Sequence, residues 1–398
     1  MSNILFKNFK LASGDFKTQQ AKSAMLIQDG RIAAIGLQAN VLKSIKVGKV
    51  KLKKEIDLKN KLVFPSFIEG HTHSVFAGSR AEEFELRNTG VSYLEIAQRG
   101  GGILSTMRAT RKASSAELLE LTQKRVDNFV KQGVSTLEIK SGYALDLKNE
   151  VKMLEVVKEL KGPRIISTFL GAHARPPEYA NNEDYLKYLA HEVLPVIKKK
   201  KLASRVDIFV ETKFFEKPES LVYLTQAKEL GFDLTLHANQ LTLSAGAELA
   251  LQLKAHSADH VINLNDKLIS SFAKSDTVPV LLPMADLYMK CAYPPARQLI
   301  DAGATVALAT DYNPGSCPSQ DLALVGLLAR LEMKMTLHEV FKAYTFGAAK
   351  ALRVHHEEGS LEVGKLANFI CTEAELTDFF YSAGFTPEHQ LFIRGKSV

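Results

Sequence analysis

Apolar residues change their period along this chain. Over the first sixty residues they alternate or cluster in short runs, ILFKNFKLA, SAMLIQDGRIAAIG and KKEIDLKNKLV, which predicts strands joined by turns. Asp29-Gly30 is a strong hairpin signal between two of them. An opening strand over 62–68 is then followed by seven further apolar runs: VSTLEIKS, RIISTFLG, RVDIFVET, FDLTLHA, SADHVI, TVPVLLP and TVALATD. Each of the seven comes after a stretch with helical spacing, best marked at 114–131, 147–160, 182–200, 218–230 and 318–334. Eight strands alternating with helices define an α/β chain and predict a (β/α)8 TIM-like barrel. A doubly wound open sheet is the rival, but no glycine-rich phosphate turn follows any strand. GSLEVGKLANFICT and QLFIRGKSV return to strand spacing at the C-terminal end. Neither terminal stretch is long enough for a stable core, so the pattern predicts one small β-sandwich domain built from both chain termini. The expected division is 1–60 and 356–398 for that domain and 61–355 for the barrel.

Composition narrows the class. The chain has 398 residues, 46% of them apolar, enough to bury a large core. Its net charge of +7 is spread thinly, and the densest run, Lys198 to Lys201, ends a helical pattern as a solvated face would. Nucleic-acid binding is therefore not expected, and the lysine-rich stretch 47–54 is read as an exposed hairpin. The three cysteines, Cys291, Cys317 and Cys371, form no CxxC pair, which suits a reducing compartment. MSNILFKNFKLAS lacks the basic and apolar regions of a signal peptide, and no run of about 18 apolar residues offers a membrane span. A cytoplasmic protein without membrane contact is expected.

Barrel active sites lie at the C-terminal ends of the strands. In FPSFIEGHTHSVFAGSR, His71 and His73 stand at such an end, and residues i and i+2 of an extended segment point the same way. The other strand ends carry Lys140 to Tyr143, His173, Glu211, His237, His260 and Asp311. A lone histidine usually serves structure, and His191, His338, His355, His356 and His389 take that reading from their helical or turn settings. An HxH pair joined by a third histidine and an aspartate is instead a zinc or ferrous environment with a position left for water. His260 is preferred to His256 for the sixth strand because it lies at the C-terminal end. Gly100 to Gly102 in RGGGIL read as a mobile loop over the barrel mouth, since no strand precedes them and no Gly-Lys-Ser/Thr follows.

The block IEGHTHSVFAGSR, followed by EFELRNTGVSYLEIAQRGGGILSTMRATR, EIKSGYAL, FLGAHARPPEY, LHANQLT, SADHV, ATDYNPGS and GSLEVGKLANFI, runs in order from about residue 30 to 370. In these motifs the chain resembles the imidazolonepropionase family of the amidohydrolase superfamily. HxH and GSLEVGK mark only the superfamily, whereas the EFELR block with EIKSGY and TDYNPG is more specific. The resemblance implies a metal held by His71, His73, His237 and Asp311, either Zn2+ or Fe2+/Fe3+, one per chain. It implies substrate contacts from Arg80, Tyr143, His173, Gln240, Asn313, Gly315 and Ser316. The activity implied is hydrolysis of the ring C–N bond of 4-imidazolone-5-propanoate to N-formimidoyl-L-glutamate, in histidine degradation. Asp311 is then the expected proton acceptor, with His260 and His173 as the other catalytic candidates. The alternative is a mononuclear amidohydrolase acting on another cyclic amide or amidine, and a non-catalytic barrel is the rival from another class.

One metal is expected because Lys140 falls on the second strand. The fourth strand, where a carbamylated lysine would bridge two metals, ends at Glu211. Two positions depart from the family pattern: Asn239 and Asn368 stand where aspartate is usual. The first puts a charge near the metal in doubt. A small-molecule substrate is the expected partner, and a homodimer is possible.

Overall fold

The computed structural model describes residues 3–91, 95 and 101–398. Strands β1 (Asn3–Ser13), β2 (Lys17–Gln28), β3 (Arg31–Leu37), β4 (Lys54–Asp57) and β5 (Leu62–Pro65) open the chain. Eight more follow in parallel order: β6 (Phe67–Glu69), β7 (Val134–Lys140), β8 (Arg164–Ala172), β9 (Arg205–Val210), β10 (Asp233–Ala238), β11 (Ser257–His260), β12 (Val278–Leu281) and β13 (Ala307–Leu308). The last three, β14 (Phe369–Thr372), β15 (His389–Ile393) and β16 (Lys396–Ser397), return to the first group. The terminal strands form one sheet in the order β16-β15-β14-β5-β1-β2-β3, with β4 also on β1. It curls enough that Phe6 of β1 packs edge-on against Phe369 and Phe392, two strands or more away. Asp29 (φ 49) and Gly30 (φ 82) make the tight turn from β2 to β3 that their sequence announces.

The middle eight strands form the barrel, each pairing with the next in sequence. Its last seam closes outside the regular strands. Thr72 bridges Tyr312 in parallel, His73 N–H donates to the Tyr312 carbonyl at 2.8 Å, and Asp311 N–H donates to the His71 carbonyl at 3.1 Å. Helices cover the outside, with ends set by capping side chains. Ser114 accepts from Glu117 N–H to start Ser115–Lys131, and Asp146 accepts from Asn149 N–H to start Leu147–Glu159. Pro195 has no N–H to give, and the helical stretch 182–200 relaxes into a π turn, Leu189–Val193, just ahead of it. The exposed Lys198 to Lys201 end that stretch. Among the described residues no helix is long and apolar enough to cross a membrane.

Three expectations change. The opening strand 62–68 is two strands in different sheets: β5 pairs with β1 and β14, whereas β6 pairs with β7. Pro65 lacks the N–H a continuous ladder needs, Ser66 N–H turns to the Asn368 carbonyl, and Phe67 N–H turns to Gly133. The stretch 47–54 is not a hairpin. It follows a helix, Gln38–Val47, whose Val41 and Ile45 pack on Leu5, Ala24 and Leu26, and it leads into β4. The expected helix 318–334 shortens to Leu322–Leu331 because Asp321 caps it by accepting from Leu324 N–H. Gly100 lies outside the described residues, and Gly102 (φ 71) directly precedes helix Ile103–Lys112.

One side chain ties sheet to barrel. Phe341 packs against Phe16 and Phe64 of the terminal segment, Phe67 of β6, and Phe379 and Phe380. Deleting a buried ring of this kind leaves a cavity that rigid neighbours on both sides cannot fill. Phe341→Ala is expected to destabilise the protein by about 3–5 kcal/mol, measured by urea denaturation.

Candidate active site

The strand ends meet at one point. His71 and His73 flank Thr72, the residue that bridges the seam, and so point into the barrel from the same side. Glu69 fixes this arrangement, accepting from His71 N–H at 3.0 Å and from Thr310 N–H at 3.2 and 3.1 Å on the other side of the seam. Its burial pushes the carboxyl up to about 8, although those hydrogen bonds pull the other way. Asp311 and His260 complete the floor with left-handed backbones, φ 55 and φ 74, a strain of about 1 kcal/mol or more each that only a firm surround sustains.

Three distances within this floor are equal. His71 Nε2 and His73 Nε2 each lie 3.4 Å from Asp311 Oδ1, and His73 Nε2 lies 3.4 Å from His237 Nε2. Ligand atoms bound tetrahedrally at about 2.1 Å stand about 3.4 Å apart, so these three spacings suit a small cation. His71 Nε2 and Asp311 Oδ1 are buried and have no hydrogen-bond partner among the described residues. His260 is also close: with His71 and Asp311 it forms a second group whose ligand atoms lie within 4.8 Å of one another.

Electrostatics favour acceptor rings. Burial lowers His73 to about 4 and His260 to about 3 despite the pull of Asp311. Burial and the neighbouring His73 and His237 hold His173 well below its ordinary value. His71 differs: burial and Lys140 oppose its proton, but Asp259 and Asp311 outweigh them and raise it to about 9. Burial would raise Asp311, yet His71 and His73 keep it well below the carboxylate range.

A cavity of about 510 Å³ opens above this floor. Of the residues singled out in the sequence, His73, His237, His260, His173 and Asp311 line it, as do Arg80, Tyr143, Gln240, Asn313, Gly315 and Ser316. His71 is the exception, lying fully buried beneath. His173 Nδ1 meets the Gly142 carbonyl at 3.1 Å, which aims the ring beside Tyr143. Asn313 shapes its loop by accepting from Gly315 and Ser316 N–H, both at 2.8 Å. Glu83 holds Arg80 Nε at 2.8 Å, and the guanidinium lies against Gly315, where an added Cβ would come within 1.9 Å of Nη1.

Other strand-end residues have other work. Glu211 accepts from Thr212 and Leu241 N–H at 2.8 Å each, bracing the loop that carries Gln240. His256 sits at the opposite end of β11, paired with Asp233 at 3.0 Å. Asn239 (φ 52) accepts from Ala247 N–H and donates to the Asn263 carbonyl, a donation no aspartate can make. A wider cleft of about 640 Å³ near the start of β8 and β9, lined by Ile165, Lys198 and Ser204, receives none of the strand-end group.

Sequence reasoning passed over several residues. Asp259 Oδ2 meets His71 Nδ1 in a 2.6 Å hydrogen bond. Asp207 Oδ2 lies 3.0 Å from His237 Nδ1, an ion-pair contact without the alignment of a good hydrogen bond. Arg87, whose guanidinium donates to the Gly315 carbonyl at 3.2 Å, also lines the cavity. The available signal for the two aspartates is a charge in the middle of an apolar strand, RVDIFV and SADHV.

A parallel barrel with clustered histidines and an aspartate at its C-terminal rim defines a metal-dependent hydrolase, and the chain belongs to the amidohydrolase family, whose model matches residues 62–398. Within that family it groups with the imidazolonepropionases. The imidazolonepropionase of Bdellovibrio bacteriovorus is 53% identical over 377 residues, covering 95% of this chain and 89% of the relative. That of Fusobacterium nucleatum is 42% identical over 378 residues, covering 94% and 91%. Among solved structures, a zinc-bound adenosine deaminase from Xanthomonas campestris superposes with a TM-score of 0.76 at 17% identity, over 100% of this chain and 92% of that one. Guanine deaminase of E. coli gives 0.72 at 14% identity, over 100% and 99%. At those identities the likeness is one of fold.

Asn239→Asp sets a carboxylate against the Asn263 carbonyl and removes a buried donor. It is expected to cost about 1–3 kcal/mol, read as a lower thermal midpoint.

Proposed function

We propose that this chain hydrolyses the ring C–N bond of 4-imidazolone-5-propanoate to N-formimidoyl-L-glutamate, a step in histidine degradation. The observation that carries the reading is a cation-competent cluster and an arginine lining one cavity, in a chain 53% identical to an imidazolonepropionase. The cation is one zinc or iron ion per chain, held by His71, His73, His237 and Asp311. When bound, it supplies Lewis acidity that makes water a better nucleophile at neutral pH.

The chain's own residues do the rest. Arg80, fixed by Glu83, offers a planar fork to the propionate carboxylate. Tyr143, Gln240 and the loop of Asn313, Gly315 and Ser316 hold the ring. Asp311 takes a proton from the attacking water as its oxygen joins the ring carbonyl carbon. The carbon–nitrogen bond then breaks, its electron pair stays on nitrogen, and Asp311 returns the proton there. His260 and His173, neutral and close to the floor, polarise the carbonyl or relay that proton. A ring without a carboxylate makes no use of the Arg80 fork that lines the cavity, which disfavours a mononuclear amidohydrolase acting on another cyclic amide or amidine of that kind.

Two measurements test this. Turnover is followed as loss of imidazolone absorbance, and Arg80→Ala is expected to raise KM about 10- to 100-fold with a smaller change in kcat. Unchanged KM removes the carboxylate role. Metal analysis of the purified protein should give one equivalent per chain, falling sharply in His237→Ala; two equivalents in the unaltered chain would contradict the single-ion reading.

A further inference from the structure

Beneath the floor of the site the barrel interior is charged. Side chains in a barrel fill it in layers contributed by alternate strands, and such layers are ordinarily Val, Ile and Leu. Here β7, β9 and β11 contribute Lys140, Asp207 and Asp259. Lys140 Nζ lies 2.9 Å from Asp207 Oδ2, 3.3 Å from Asp259 Oδ2 and 2.9 Å from Glu138 Oε2. All four side chains are buried, with Lys140 at 0% exposure, and Arg205 joins through Glu138 at 3.3 Å. Two cations thus face three carboxylates out of reach of water. Burying such a set costs several kcal/mol per ion unless each charge is matched, so hydrophobic packing would serve stability as well or better.

What the arrangement does is connect. Asp259 accepts from His71 Nδ1 and Asp207 lies against His237 Nδ1, so the same two carboxylates that pair with the ammonium also contact two of the four cation-competent side chains, the first by a hydrogen bond and the second by an ion-pair contact. Asp207 Oδ1 additionally accepts the backbone N–H of His237 at 3.2 Å. Thr235 Oγ1 steadies Asp259 at 3.2 Å. A histidine whose Nδ1–H is held by a carboxylate presents Nε2 in one tautomer and one orientation.

We propose that Lys140 is a positioning residue for the metal centre: one ammonium, shared between Asp207 and Asp259, sets His71 and His237 together. Its side chain is fully buried and is not among the residues lining the cavity. Removing its charge leaves two like-charged carboxylates facing each other across the barrel, free to turn away from the rings they orient. Both histidines then lose their fixed Nε2 direction through one change.

The proposal rests on the metal-dependent reading of the site, and zinc binding itself separates the two. Lys140→Met, close in shape but uncharged, is compared with the unaltered chain by chelator competition. Affinity for Zn2+ is expected to fall at least about tenfold. Phe341→Ala, destabilising from outside the site, is expected to keep the original affinity, which distinguishes positioning from general loss of stability. Because Lys140 acts through Asp259, the double variant Lys140→Met/Asp259→Asn should lose less than the product of the two single losses. If Lys140→Met binds zinc as tightly as the unaltered chain, Lys140 does not position the ligands although the metal reading stands. If the unaltered chain binds no zinc or iron, both readings fail. Should Lys140→Met not fold, Asp207→Asn and Asp259→Asn keep Lys140 in place, and each is expected to weaken zinc about 10- to 100-fold. Unchanged affinity in both overturns the proposal.

Discussion

Barrel closure and assembly of the site are one event in this protein. The hydrogen bonds that join the first and last staves run between His71, His73, Asp311 and Tyr312, three of which carry side chains of the cation-competent cluster. Regular pairing stops at β6 and β13, which are only three and two residues long, so the seam depends on these few bonds and on Glu69 across them. A barrel that slips by one residue there turns His71 and His73 outward together.

The same economy explains the strain. Non-glycine residues with φ near +50 to +75°, Asn239, His260 and Asp311, stand at the ends of three strands, where the chain leaves the ladder and enters the loops around the cavity. Such backbones persist because their neighbours over-determine them: Asn239 is held by Ala247 and Asn263, and Asp311 by the seam. Below them the interior carries charge where a barrel usually carries aliphatic side chains. Stability must therefore come from elsewhere, and the helix-facing core with its aromatic cluster around Phe341 supplies it.

Much of this is legible in sequence, and the illegible parts share a cause. Eight apolar runs alternating with helices mark the barrel, and Asp29-Gly30 marks the β2–β3 hairpin of the terminal sheet, because both signals are local. HxH is visible for the same reason. The break at Pro65 and Ser66 is not, since a proline at a strand end reads alike whether the chain continues or changes sheet. Asp207, Asp259 and Lys140 gain meaning only once strand register places them in one layer, so composition could show charges within apolar strands without saying which way they face. Arg80 was visible through family resemblance alone, and its neighbour Arg87, although it closes the EFELR motif of that resemblance, was not singled out. Asn239 looked like a loss of charge near the cation, yet its amide faces another loop.

The terminal sheet has a consequence for how the chain is made. β5 pairs with β14, a partner roughly 300 residues later, and Phe369 meets Pro65 only when nearly the whole polypeptide exists. Until then β5 presents an apolar edge, LVFP, immediately before the segment that must start the barrel. Synthesis from the ribosome therefore exposes that edge throughout translation of the catalytic half. Strand order thus obliges the chain to carry an unpaired apolar edge, shortly ahead of His71, until its C-terminal strands exist.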